Sequence, residues 1–75
     1  MTAKSESSER VGNAIRKRRV ALRVSQEAFA DSILMHRAYY GAVERGNLNL
    51  TLRTLLRISV GLGIKVWEIL KDADI

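Results

Sequence analysis

Between Val24 and Gly46 the chain reads VSQEAFADSILMHRAYYGAVERG, and this stretch limits the fold more than any other. It reads as two short helices joined by a tight turn. Ser25 suits the start of the first, because its hydroxyl can accept from an otherwise unpaired backbone N–H of the first turn. Val24 and Phe29 have the spacing of a hydrophobic staple around that cap, and Glu27 complements the helix dipole. Phe29, Ala30 and Ile33 form an apolar stripe at helical period. No proline interrupts the path, and no glycine does before Gly41, so the turn is expected near Leu34 and Met35. The second helix is expected from about His36 to Arg45. Met35, Tyr40 and Val43 would face inward. Arg37, Ala38, Gly41, Ala42 and Arg45 would face outward as two arginines flanking three very small residues. Such a face can lie close against another surface, and its arginines can fork onto acceptors. Adjacent Tyr39 and Tyr40 cannot both point inward, so Tyr40 takes the core and Tyr39 the boundary.

Ser25-Gln26-Glu27-x-Phe29-Ala30 followed by Tyr40-x-x-x-Glu44-Arg45-Gly46 resembles the helix-turn-helix of the lambda-repressor/Cro-like family. The resemblance spans roughly residues 11–70. Three family positions differ. Leu34 stands where the turn usually carries glycine, His36 where the recognition helix usually opens with Ser, Thr or Asp, and Arg23 where the first helix usually ends on glycine. The resemblance implies an all-α, compact five-helix DNA-binding domain. Within the family the chain is most similar to short stand-alone regulators such as the controller proteins of restriction–modification systems.

Composition agrees. A chain of 75 residues makes one small domain, whose core is marginal unless a second copy adds buried surface. A net charge of +5 favours a polyanionic partner. Absent cysteine excludes disulfides and thiolate metal sites. No apolar run is long enough to cross a membrane, and the N-terminus lacks a signal-peptide core. The resemblance implies a bacterial or phage-encoded cytoplasmic protein.

The remaining chain supplies a frame for the motif. Residues 1–7 read as a mobile tail, with Lys4 its one basic residue. Residues 8–75 read as the domain. Ser8 can cap a helix reaching about Leu22, with Val11, Ile15 and Leu22 inward. Arg19 falls on that stripe. A guanidinium there needs a carboxylate or carries a large desolvation cost, and Glu44, one turn after Tyr40, is the matching acid. A similar Arg–Glu pair ties the two helices in the family. Arg10, Arg16, Lys17, Arg18, Arg19 and Arg23 form a basic run without an acid, while Glu68, Asp72 and Asp74 lie at the other end of the chain. Part of the run is expected to face phosphates. Gly46 suits a left-handed cap. Thr51 can cap a fourth helix, with Leu52, Leu55, Ser59 and Leu62 on its inner stripe and Arg53 and Arg57 on its wet side. Gly63 would end it. A last helix from Val66 to about Asp72 would turn Val66, Ile69 and Leu70 inward and leave Trp67 outside.

The expected function is sequence-specific binding of double-stranded DNA by a transcriptional regulator, a homodimer on a pseudo-palindromic operator that blocks or recruits RNA polymerase. Arg37, Ala38, His36 and Ala42 are the candidate base readers. Gln26, Tyr39, Arg45, Asn47, Asn49 and Arg16 are the candidate phosphate contacts, with Asn49 supported by the resemblance. Leu56, Val60, Ile64 and Trp67 could form a self-complementary dimer patch. The alternative is an antitoxin whose DNA-binding module also masks a toxin protein. Catalysis is not expected. His36 is the single histidine, Ser25 is explained as a cap, and neither a phosphate-binding glycine loop nor a ligand cluster for a metal occurs. No cofactor, small-molecule ligand or membrane partner is implied.

Overall fold

Ser5, not Ser8, caps the first helix. The Ser5 hydroxyl accepts from the Ser8 N–H at 3.1 Å, and α1 runs Glu6–Ala21. The computed structural model describes residues 5–75; Lys4 and the rest of the expected tail up to that point lie outside them. Four further helices follow: α2 Gln26–Ser32, α3 Arg37–Arg45, α4 Leu52–Leu62 and α5 Val66–Asp72. Ser25 and Thr51 cap α2 and α4, each accepting from an N–H three residues on at 3.1 Å. Gly46 and Gly63 end α3 and α4 at φ 76° and 74°, where a side chain would be strained.

The helices pack because their apolar stripes converge. α1 lies against α3 and α5, α2 against α3, and α4 against α5 and α1. Ile15, Tyr40, Val43, Ile58 and Ile69 are completely enclosed. Each large side chain buried in this way stabilises by about 1.5–3 kcal/mol. The Phe29 and Tyr40 rings meet at 5.1 Å between centroids, locking α2 onto α3. Gly12 sets the approach of α1 to α3, since a Cβ there would run into the carbonyl groups of Val43 and Glu44.

Several expectations need correction. Leu22 is half exposed, because it lies past the last residue of α1 and Val24 closes that side of the core after the turn. Leu52 is exposed at the first turn of α4. Leu48 and Leu50 of the preceding loop fill the space it was expected to fill, and the inner stripe is Leu55, Ile58, Ser59 and Leu62. Gly41 is buried rather than outward, because the Arg45 and Gln26 side chains fold over it. Ile64 packs against the core edge.

The two positions where family glycines are missing keep the left-handed backbone. Arg23 has φ 61° and Leu34 has φ 56°. Each non-glycine residue there is strained by about 1 kcal/mol. The helix-turn-helix turn closes with Leu34 N–H donating to the Asp31 carbonyl and Met35 N–H to the Ala30 carbonyl. Met35 goes into the core and Leu34 stays 87% exposed.

Candidate nucleic-acid interface

One buried ion pair sets the position of α3. Arg19 Nε donates to Glu44 Oε2 at 2.7 Å and Nη2 to Oε1 at 3.1 Å, so the pair is bidentate. Arg19 Nη1 also reaches the Val24 carbonyl at 2.7 Å, and Gln26 Nε2 donates to Glu44 Oε1 at 2.9 Å. α1, α2 and α3 therefore meet on one carboxylate, and Arg19 ties in the turn after α1 through the Val24 carbonyl. Burial pushes the Glu44 carboxyl up. Hydrogen bonds from Arg19 first, then from its neighbours, outweigh that and hold it below the usual range. The hydrogen bond to Glu44 raises Arg19 against the opposing effect of burial. Beside them the Tyr40 hydroxyl is enclosed and makes no well-formed hydrogen bond. Burial, with Glu44 adding to it, lifts that phenol far above its ordinary value, so it stays protonated.

Gln26 was expected on phosphate. One of its two amide hydrogens is committed to Glu44, which leaves the other for an outside acceptor. Gln26, Gly41 and Arg45 form one small-floored patch at this end of α3.

At the other end, His36 caps α3 itself. Its Nδ1 accepts from the Ala38 N–H at 3.3 Å, so the ring proton sits on Nε2, a donor for something else. Arg37 and Ala38 follow, both exposed, and Ala42 is half-buried one turn on. Arg37 is forked onto Asp31, across the turn at the end of α2. Nε lies 3.1 Å from Oδ1 and Nη2 2.8 Å from Oδ2. This hydrogen-bonded pair lowers the Asp31 pKa and raises that of Arg37.

The geometry is that of a helix carrying small side chains between two arginines, braced across a tight turn by the helix before it, and residues 15–66 of the chain match the helix-turn-helix family model. The chain belongs to that family. It is 41% identical over 66 residues to the control protein C.MunI of Mycoplasma sp, covering 87% of this chain and 89% of that one. The restriction–modification controller C.AhdI from Aeromonas hydrophila superposes with TM-score 0.78 at 34% identity, over 81% of this chain and 92% of that chain. The clp gene regulator ClgR from C. glutamicum superposes with TM-score 0.85 at 25% identity, over 91% and 88%. The protein is a helix-turn-helix DNA-binding regulator, and the five-helix, strand-free fold expected of it is the one found among the described residues.

In this helix-turn-helix domain the other candidate contacts spread around α3. Tyr39 is at the surface, its hydroxyl 3.5 Å from Thr54 Oγ1. Asn47 follows the Gly46 cap of α3, with its N–H on the Ala42 carbonyl. Exposed Asn49 borders a hollow with Ser5, Ser7 and Ser8 at the start of α1. Arg16 is exposed on α1, and no carboxylate among the described residues pairs with it.

The basic run of α1 is less available than its composition suggested. Asp72 takes Arg18 at 2.6 Å and 3.3 Å, and Arg10 meets Glu6 at 2.7 Å and the Asp74 carbonyl at 3.2 Å. Packing of α5 on α1 brings the C-terminal acids back over the basic residues. The expected separation of the charges is therefore corrected. The sequence reading also missed Asp31 as the partner of Arg37; its signal was an acid at the last turn of α2, six residues before the arginine.

Among the described residues no helix is long and apolar enough to cross a membrane, and no group of three or more His, Cys, Asp or Glu could hold a metal ion.

Proposed function

We propose that this chain reads a specific double-stranded DNA operator as a homodimer and controls transcription from it, as a controller of a restriction–modification system. The outer face of α3 carries the reading. Ala38 and Ala42 are too small to hold the helix away from the floor of a major groove, and Arg37 stands at the end where this motif enters it. Arg37 reads guanine, His36 donates from Nε2, and the alanines offer methyl contact to thymine. Gln26, Tyr39, Arg45, Asn47, Asn49 and Arg16 hold phosphates, which sets register without reading sequence. Bound at a promoter, such a protein blocks or recruits RNA polymerase. Its relatives carry control and controller names, which supports that assignment.

One recognition helix reads too few base pairs for a unique address, so a second copy is needed. Leu56 and Val60 are 50% and 78% exposed and line an apolar groove on α4 with Ile33 and Leu34, flanked by Arg53 and Arg57. With exposed Trp67 they are the surface we assign to the second copy. Two-fold pairing there gives half-sites about one helical turn, or about 10 base pairs, apart.

Selection from random duplexes, with the bound sites sequenced, tests the reading. The expected result is an inverted repeat at that spacing, and a log affinity that falls with log salt by about 0.9 per phosphate neutralised. Recovery of unrelated duplexes, or salt-independent binding, rejects it. Sedimentation of the Val60→Asp, Trp67→Ala double variant tests the dimer. A folded monomer with weakened operator binding is expected, and an intact dimer places the interface elsewhere.

A further inference from the structure

The geometry points to Asp31 as a positioning residue for specificity, one that holds the Arg37 guanidinium on its side edge so that its end edge is presented ready to read guanine. This rests on the proposed base-reading role of Arg37.

A guanidinium has five N–H donors in a fixed plane. Asp31 engages the Nε–H and one Nη2–H of Arg37. That leaves both hydrogens of Nη1 and the second hydrogen of Nη2. Nη1 and Nη2 together form the end edge of the group, whose spacing matches two acceptors side by side. Guanine offers such a pair, O6 and N7, on its major-groove edge. The Asp31 pair therefore leaves the DNA-reading edge open.

The position of Asp31 suits this use. It lies in the last turn of α2, and the backbone between it and Arg37 is fixed by the Leu34 and Met35 turn hydrogen bonds. The carboxylate is thus anchored to the rigid half of the motif. An arginine on a free helix start would sample many rotamers and could turn to a phosphate. Held on Asp31, its plane and direction are set before DNA arrives, which is preorganisation of a contact. Asp31 also sets a negative charge beside Arg37, and Glu27 on the same helix acts on Arg37 in the same sense. That charge works against sequence-independent binding. Asp31 thus raises the energy of wrong complexes and lowers that of one right complex, the two halves of specificity.

Removal of Asp31 should then move two observables in opposite directions. The test uses the full chain, the operator recovered by selection, and duplexes that replace the required guanine of each half-site by each other base. Asp31→Ala is expected to cut discrimination at that base pair by about tenfold, the scale of one bidentate base contact. It is expected to raise affinity for random duplex and to leave discrimination at other base pairs intact. Asp31→Asn, which keeps one acceptor, should fall between. In an Arg37→Ala background, Asp31→Ala should change discrimination no further. Circular dichroism and melting should not move, since both side chains are at the surface. Unchanged discrimination at the guanine in Asp31→Ala overturns the inference and leaves Asp31 as a mere screen on Arg37. Equal loss at every base pair also overturns it, because that pattern reports damage to the fold. If Arg37→Ala alone leaves every base preference intact, the base-reading role itself falls, a result distinct from both.

Discussion

Helix α3 has an arginine–carboxylate fork at each end, and the two are opposites in what surrounds them. Arg19–Glu44 has side chains 10% and 2% exposed, whereas Arg37–Asp31 has 61% and 55%. Their distances and bidentate form are nearly the same. In the buried pair, loss of one partner strands a charge away from water, which is far costlier than the pair is stabilising. In the exposed pair water replaces either partner, so the pair contributes little to the fold. Hydrogen-bond geometry is therefore a poor guide to what a pair does, and burial decides. The inner fork fixes where α3 lies. The outer fork contributes little to the fold but leaves the end edge of the Arg37 guanidinium open to a further ligand.

The largest effect that would sharpen this contrast is at Glu44. Glu44→Gln should destabilise by about 3 kcal/mol, since Arg19, and with it Gln26, loses its charged acceptor. Thermal and denaturant melts measure this. Replacing Arg19 and Glu44 together by well-packed apolar residues should recover much of the loss. An unchanged melt in Glu44→Gln would break the comparison at its buried end.

Acid provides a second route to the same pair. The folded-state pKa of Glu44 is depressed, so its contribution is complete above its ordinary value of about 4.3 and is lost as the pH falls through the lower folded value. Melts from pH 6 downward should show stability falling below about pH 4.3, with a smaller dependence in Glu44→Gln. Equal acid sensitivity of the two chains would assign the effect to other carboxylates.

The turn next to the outer fork should respond more weakly and in the other direction. Leu34→Gly removes strain of about 1 kcal/mol at φ 56° but loosens the unfolded chain by somewhat less, for a net gain of about 0.5 kcal/mol. A loss of stability would mean that Leu34, exposed as it is, packs on a partner copy.

The smallest expected change in stability is at Arg37. Arg37→Ala should leave the melting temperature where it was, yet weaken operator preference at one base pair per half-site by about tenfold. A drop in melting temperature like that of Glu44→Gln would make the two forks equivalent and remove the distinction. Uniform weakening on all duplexes would instead mark Arg37 as a phosphate clamp.

The sequence by itself determined the helices, because the signals for them are local. Ser25, Thr51, Gly46 and Gly63 act within one turn of their own backbone, and an apolar residue every three or four positions declares a buried face without reference to any partner. It also determined the Arg19–Glu44 pair, since an arginine on a core stripe admits few solutions and one acid stood on the facing stripe. What the tertiary structure alone decided concerns contacts between distant segments. Periodicity could not say that α1 stops before Leu22 and leaves it wet while Val24 closes the core, nor that Leu48 and Leu50 would displace Leu52. Composition placed the acids at one end of the chain, but packing of α5 on α1 set Asp72 on Arg18. The same holds at the proposed reading face. The sequence supplied Arg37 with its outward direction, and only the angle between α2 and α3 put Asp31 within 2.8 Å of it. Charges act through space, and their neighbours are fixed when the helices dock.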